Sequence, residues 1–276
     1  MRNFFSSLFL VIASIAYANG QITITKAAFP KAGDTLRTVS DGNPKNLVMT
    51  ESGGNQVWDF STLKQSKTIT KTAILDAKEG TAADKFPDAT LIERGALGNE
   101  NYIKITNKEY EDLGYAGADP TGFGLSVIAR YDPTVTMRRA AKFFDIANDE
   151  SALKISLPLA ILPDSIKKAI LGQFSSVDSL RIRFNSNRTD VVEGWGKLKI
   201  PGGEYDVLRE KRINYSDSHL DLHLFGTWLD VTQFIGAAGG ATGGAAGLLG
   251  KDTTITYNFF SDKAIEPIAV VTVDNK

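Results

Sequence analysis

The sequence predicts a mainly β protein, an antiparallel β-sandwich or half-barrel with one short helix around 164–174. Three observations lead there. Most of the chain alternates apolar and polar residues with the strand period of two. Turn residues punctuate that alternation at Asn185–Asn187, Pro201–Gly203 and Ser261–Lys263. A single stretch switches to helical spacing.

Taken in order, residues 21–25 alternate Ile22 and Ile24 with polar neighbours. Strand-like segments follow at 67–76, 102–107, 124–131, 134–142 and 152–157. The second half is more regular, with strands expected at 179–185, 191–200, 205–215, 218–231, 253–260 and 265–273. Long strands joined by short turns pair antiparallel. Between the halves, Pro163, Asp164 and Ser165 precede Ile166, Ile170, Leu171 and Phe174, which share one helical face. Asp164 or Ser165 would cap the first turn. Such a helix would cover an open sheet end, or act as a lid if a cavity lay beneath. The chain after residue 20 reads as one β-rich domain, 21–276, or as two packed sub-domains, 21–150 and 151–276.

The first 25 residues, MRNFFSSLFLVIASIAYANGQITIT, read as a signal peptide over 1–20. Arg2 gives the positive start, an apolar run follows, and Ala16, Ala18 and Gly20 supply the small residues of a cleavage site. Cutting after Gly20 leaves Gln21 first; cutting after Ala18 is the alternative. The apolar run is about 11 residues, against the roughly 20 needed to span a bilayer. Export leaves 256 residues and moves the formal charge from −1 to −2. So small a charge gathers neither nucleic acid nor anionic lipid. The absence of cysteine excludes disulfides, thiolate catalysis and cysteine-bound zinc, so a packed core must hold the exported fold.

Residues 236–250, GAAGGATGGAAGLLG, carry no charge. Glycine and alanine bury too little apolar area to offset the entropy of ordering, so this reads as a loop between strands. Its GxxxG spacings raise membrane contact as a second reading, weakened by the scarcity of large apolar residues. A self-associating tip is a third.

Few motifs carry chemistry. Residues 245–252 (AAGLLGKD) approach a phosphate loop, but Ala245 replaces the first glycine and Asp252 the hydroxyl residue. No GxSxG elbow occurs. Asp217, His219, Asp221 and His223 stand at every second position, with Leu220, Leu222 and Leu224 between. On a strand these polar groups share one face, neighbours about 6.7 Å apart and the histidines about 13 Å apart. A pair such as His219–Asp221 or Asp221–His223 could meet a metal. The plainer reading is a solvated face on which each carboxylate steadies an imidazole. Carboxylates such as Glu93, Asp145 and Glu193 are numerous enough for glycosidase chemistry, with no spacing that pairs them. Trp58, Trp195 and Trp228 could line a carbohydrate or lipid site, but buried tryptophans more commonly fill cores.

Four stretches carry a resemblance: residues 22–37 (ITITKAAFPKAGDTLR), 55–63 (NQVWDFSTL), 193–212 (EGWGKLKIPGGEYDVLREKR) and 257–274 (YNFFSDKAIEPIAVVTVD). Together they resemble uncharacterised secreted proteins of Bacteroidota, many of which carry a C-terminal sorting domain for type nine secretion. The sequence ends at Lys276 without that domain. The resemblance implies secretion and assigns no activity to any residue. A shorter likeness, the strand–PxG–strand pattern, is similar to periplasmic lipid-carrier half-barrels.

The sequence therefore predicts a secreted or periplasmic, non-enzymatic β protein with a binding or cell-envelope structural role. No cofactor is expected, and His219, Asp221 and His223 are the only metal candidates. Expected partners are envelope components or an apolar ligand, with no nucleic acid and no stable membrane span. The first alternative is a carrier of an apolar ligand, such as a lipid, in a curved sheet. The second is a carboxylate-dependent hydrolase.

Overall fold

The computed structural model describes residues 21–119, 124–172, 174, 176–237 and 249–273. The expected signal peptide and most of the Gly/Ala-rich loop lie outside them. The first half contributes β1 (Thr35–Thr38), β2 (Gly53–Asp59), β3 (Thr70–Asp76), β4 (Leu91–Gly95), β5 (Glu100–Ile105), β6 (Glu109–Ala118) and β7 (Ser126–Arg139). Then come β8 (Ile146–Pro158), α1 (Asp164–Leu171), β9 (Val177–Ile200), β10 (Gly203–Leu224), β11 (Thr227–Asp230), α2 (Thr232–Ala237), β12 (Gly250–Phe260) and β13 (Ala269–Val273).

The fold is built on the β9–β10 hairpin. At about 3.3 Å per residue, the 24 residues of β9 span roughly 80 Å. The hairpin turns at Pro201–Gly202, where the proline presets φ and Gly203 adopts φ +147°. Two carboxylates, Glu193 and Asp178, are the extra residues at register shifts in β9. One edge of β9 pairs β8 and then β2; one edge of β10 pairs β12 and then β11. Such pairing overrides the turn expected at Asn185–Asn187, because these residues have ladder partners on both sides.

The remaining strands continue in the order β1-β3-β4-β5-β6-β7-β8, which makes one open, almost wholly antiparallel sheet of thirteen described strands. Between β7 and β8 the ladder consists of the single pair Tyr131↔Leu153, and Arg139 of β7 adds an ion pair to Asp149 of β8. The segments expected at 124–131 and 134–142 form one strand, β7, in which residues 131–134 bulge opposite Leu113. Position 150 falls within β8. No ladder closes the sheet, yet its ends meet: Glu266, just before β13, accepts hydrogen bonds from the Arg37 amide (3.0 Å) and the Thr38 hydroxyl (3.4 Å) on β1.

Apolar clusters fix this arrangement. At the far end of the hairpin, Leu180, Ile182, Leu220 and Leu222 pack with Ile155 and Leu157 of β8. Ile170 of α1 joins them, so the helix does cover a sheet end. It starts from Pro163 without the side-chain cap expected of Asp164 or Ser165. The expected strand 218–231 breaks at Phe225–Gly226, where positive φ at both residues makes the tight turn into β11. In the first half, Phe86 stacks on Tyr102 at 4.1 Å on one face of the sheet, while Phe29 packs with Tyr110 in a separate cluster.

The one parallel contact, β2 beside β9, is a close crossing. A Cβ on Gly196 would lie 2.0 Å from the Gln56 carbonyl oxygen, and one on Gly54 would lie 2.6 Å from the Trp195 ring. The crossing seats Trp58 against Phe259, ring centroids 5.1 Å apart. The buried Arg209 guanidinium lies 5.2 Å from the Trp58 ring and pairs with Glu193 at 2.9 Å. Gly196→Ala should lower the unfolding free energy by roughly 2–4 kcal/mol, while Gly42→Ala, which meets nothing within 4 Å, stays within about 0.5 kcal/mol. Urea titration of both variants checks this; equal losses would refute the crossing.

Candidate functional site

The inner face of the hairpin changes character along its length. Register pairs Leu222 with Leu180 and Leu220 with Ile182 at the apolar end. The next pairs are Ser218↔Phe184, Ser216↔Ser186 and Asn214↔Arg188. Arg212↔Asp190 and Glu210↔Val192 follow. Across β12, Thr254 faces Asn214, Thr256 faces Arg212 and Asn258 faces Glu210. A band of hydroxyls and amides thus interrupts a surface that is apolar at both ends.

Above this band lies an open trough of about 630 Å³. Ser216, Ser218, Asn214, Thr254 and Thr256 line one side. Tyr115, Tyr131, Val135, Leu153 and Phe184 form a more apolar wall, and Val270 of β13 closes the rim. The β7 bulge places Tyr131 at this wall. Burial pushes the Tyr131 phenol up to about 12, the charge of Asp112 adding to it. Burial likewise raises Tyr115. Both phenols therefore stay protonated donors at neutral pH. The Tyr115 hydroxyl is buried and, among the described residues, has no hydrogen-bond partner.

An ionic wall bounds the trough. Arg188, 8% exposed, pairs with Asp149 at 2.9 Å and Asp190 at 3.0 Å and donates to the Thr136 carbonyl. Arg212 pairs with Asp190 at 2.9 Å and Glu210 at 3.1 Å. Arg139 of β7 completes the wall on Asp149 and on Glu109, the latter at 3.2 Å. Burial pushes Asp149 up, but the Arg139 hydrogen bond and the Arg188 charge outweigh it and hold the carboxyl below its ordinary range. Burial raises Glu210, against the opposing charge of Arg212. The two guanidinium groups facing the trough are thus neutralised from behind.

The metal candidates lie on the opposite, outer face. His219 directs Nδ1 to Asp230 at 2.7 Å and Nε2 to Asp217 at 3.0 Å, so carboxylates face both ring nitrogens. Asp221, 1% exposed, accepts from Arg181 and Arg183 Nε at 2.7 Å each and from a second Arg183 nitrogen at 2.8 Å. Hydrogen bonds from both arginines overcome the burial that would raise it, and its pKa is lowered. His223 meets Asp178, the residue at the register shift, at 2.8 Å. Among the described residues no group of three histidine or acidic side chains is placed to hold a metal. The face is less solvated than the sequence implied, because the two arginines shield Asp221. The leucines between do point to the core, with Leu220 and Leu222 buried and Leu224 packed against them.

Other sequence candidates are dispersed. Burial raises Glu93, which accepts from the Tyr110 hydroxyl. Asp145 receives the Lys142 amide at 2.9 Å, and Glu193 neutralises Arg209. Trp58 is buried in the core, Trp195 packs at the glycine crossing, and Trp228 lies 4.4 Å under the Arg181 guanidinium. None of them lines the trough. Nor do the described residues of α1. Gly250–Asp252, from the near-miss phosphate loop, opens the strand β12. No helix among the described residues is long and apolar enough to cross a membrane.

No protein family, curated protein or solved structure matches this chain.

Sequence reasoning missed Tyr115, Phe184, Asn214 and their neighbours because polar residues on a strand read as facing water. The available signal was positional: Ser216 and Asn214 continue the same alternate set as Leu220 and Leu222, so they belong to the inner face.

Two stability predictions follow from these placements. Asp221→Asn should cost about 2–3 kcal/mol, since it leaves Arg181 without its counter-charge and Arg183 with Asp230 alone, with some screening because each arginine is 25% exposed. Asp217→Asn should cost under about 1 kcal/mol. Denaturation midpoints decide, and indistinguishable variants would overturn the assignment. Burial pushes Asp112 up to about 7 against a backbone hydrogen bond from Gly114. Between the ordinary 3.8 and 7 the folded protein therefore holds more protons than the unfolded chain, so stability falls as pH rises through that window. Asp112→Asn, whose amide oxygen can keep the Gly114 hydrogen bond, should remove this slope and stabilise the protein at pH 8 by on the order of 3 kcal/mol. Parallel stability–pH curves would refute it.

Proposed function

We propose that this protein is a non-enzymatic, exported β protein that binds a ligand or envelope component along the open inner face of its long hairpin. The observation that carries the reading is the trough. A sheet face between two apolar clusters has hydroxyls, amides and an unpartnered phenol where close-packed carbon would be more stable. An unpaired buried polar group costs roughly 1–3 kcal/mol, and a ligand that pairs such groups offsets that cost. Binding also fits the carboxylates and imidazoles singled out from the sequence, each of which already has a structural partner. The signal peptide expected over 1–20 and the resemblance to secreted Bacteroidota proteins support a reading outside the cytoplasm.

The apolar-ligand carrier remains the second reading, favoured by the wall of Val135, Leu153, Phe184 and Val270. Thermal unfolding in the presence of envelope fractions tests both. A lipid extract, a glycan extract and a peptide digest are each added to the protein and to the double variant Ser216→Leu/Thr254→Leu, which fills the trough. One fraction should raise the Tm of the unaltered protein alone and be recovered chemically unchanged; a ligand present at 100 times its Kd adds about 2.7 kcal/mol. The lipid fraction acting alone would favour the carrier. No differential shift, or consumption of the added material, would defeat the binding reading.

A further inference from the structure

We infer that the trough takes a neutral oligosaccharide, an inference that rests on the binding reading and narrows its ligand. Charge excludes the strongest competitor. Arg188 and Arg212 face the trough, but Asp149, Asp190 and Glu210 contact them from behind, so a phosphate or carboxylate would have to compete with bound carboxylates. The lining equally disfavours an acyl chain. Ser216 and Thr254 already bond Asp252, and Asn214 Oδ1 accepts from Ser186, but covering the Asn214 amide nitrogen and the Ser218 and Thr256 hydroxyls with methylene groups would cut them off from water, at roughly 1–3 kcal/mol for each group left unpaired.

A sugar chain matches what is present. Its hydroxyls donate and accept together, as do the serine, threonine and asparagine side chains along β10 and β12. Its C–H faces suit the partly buried rings of Tyr115, Tyr131 and Phe184 in the same lining. The Tyr115 hydroxyl and Arg188 Nε, which have no hydrogen-bond partner among the described residues, are sealed from solvent behind this lining. A ligand therefore meets the Ser218 and Thr256 hydroxyls and the Asn214 amide first, and the ionic wall stays intact. The volume, about 630 Å³, falls within the roughly 300–1,000 Å³ of small-molecule sites, and the open form admits a short chain lengthwise.

Isotope-labelled protein titrated with maltoheptaose, cellohexaose, mannohexaose and N-acetylchitohexaose tests the inference, with oleate, polygalacturonate oligomers and a neutral hexapeptide as comparators. At least one neutral oligosaccharide should bind with sub-millimolar Kd and shift backbone amides of β10, β12 and the Tyr131 bulge. Thr256→Val should weaken that binding about 10-fold with Tm little changed, because it removes a hydroxyl at the lining and keeps the side chain's shape. Phe184→Leu, which removes a ring from the lining, should weaken it independently. If a comparator alone shifts these amides, the ligand class is wrong and the binding reading survives. If no compound shifts them, both fail. Oligosaccharide binding that shifts other residues and ignores Thr256→Val also overturns the inference.

Discussion

Because β9 and β10 pair along all 22 residues of β10, with two single-residue shifts on β9, every paired side chain is committed to one face or the other. A slip of one position would turn Leu220 and Leu222 outward and bring His219, Asp221 and His223 into the core. The apolar ends of the inner face make that slip prohibitive, since each buried leucine contributes roughly 1.5–3 kcal/mol. The two register shifts fall where carboxylates are needed: Glu193 meets Arg209 and Asp178 meets His223.

Once register is fixed, the polar middle of the hairpin becomes a structural problem as well as a surface. The wall of Arg139, Arg188 and Arg212 with Asp149, Asp190 and Glu210 solves part of it by pairing every charge with another. Pairs of this kind are close to neutral in net stability but costly to break singly. They act as a rigid partition between the trough and the cluster of Val192, Leu208 and Phe260. The hydroxyl and amide band is held by fewer and weaker bonds, from Ser186 to Asn214 and from Ser216 and Thr254 to Asp252.

Much of the fold was legible because alternation directly reports a two-sided environment. The turn at Pro201–Gly203, the strands of the second half and the helix near Ile170 were all readable on that ground. β6 escaped notice because its buried positions include Asp112, Gly114 and Ala116, which carry little hydrophobic signal. β2 escaped because its place depends on glycines of both strands, Gly54 and Gly196, that let two distant segments approach, a fit visible only once they are paired. The turn at Phe225–Gly226 was hidden by a bulky residue in a conformation usually given to Asn or Gly. The trough was illegible for a related reason: inward and outward polar residues look alike until pairing is known.

The β2–β9 crossing also bears on how the chain acquires its structure. Gly53 pairs with Gly194, about 140 residues further along. A polypeptide delivered amino-terminus first presents Trp58 and Phe60 long before Leu198, Val207 and Phe259 arrive to bury them. Such long-range pairing slows folding and leaves sticky intermediates exposed to self-association. The aromatic stretch around Trp58 thus stays without its folded neighbours until the late hairpin has been made.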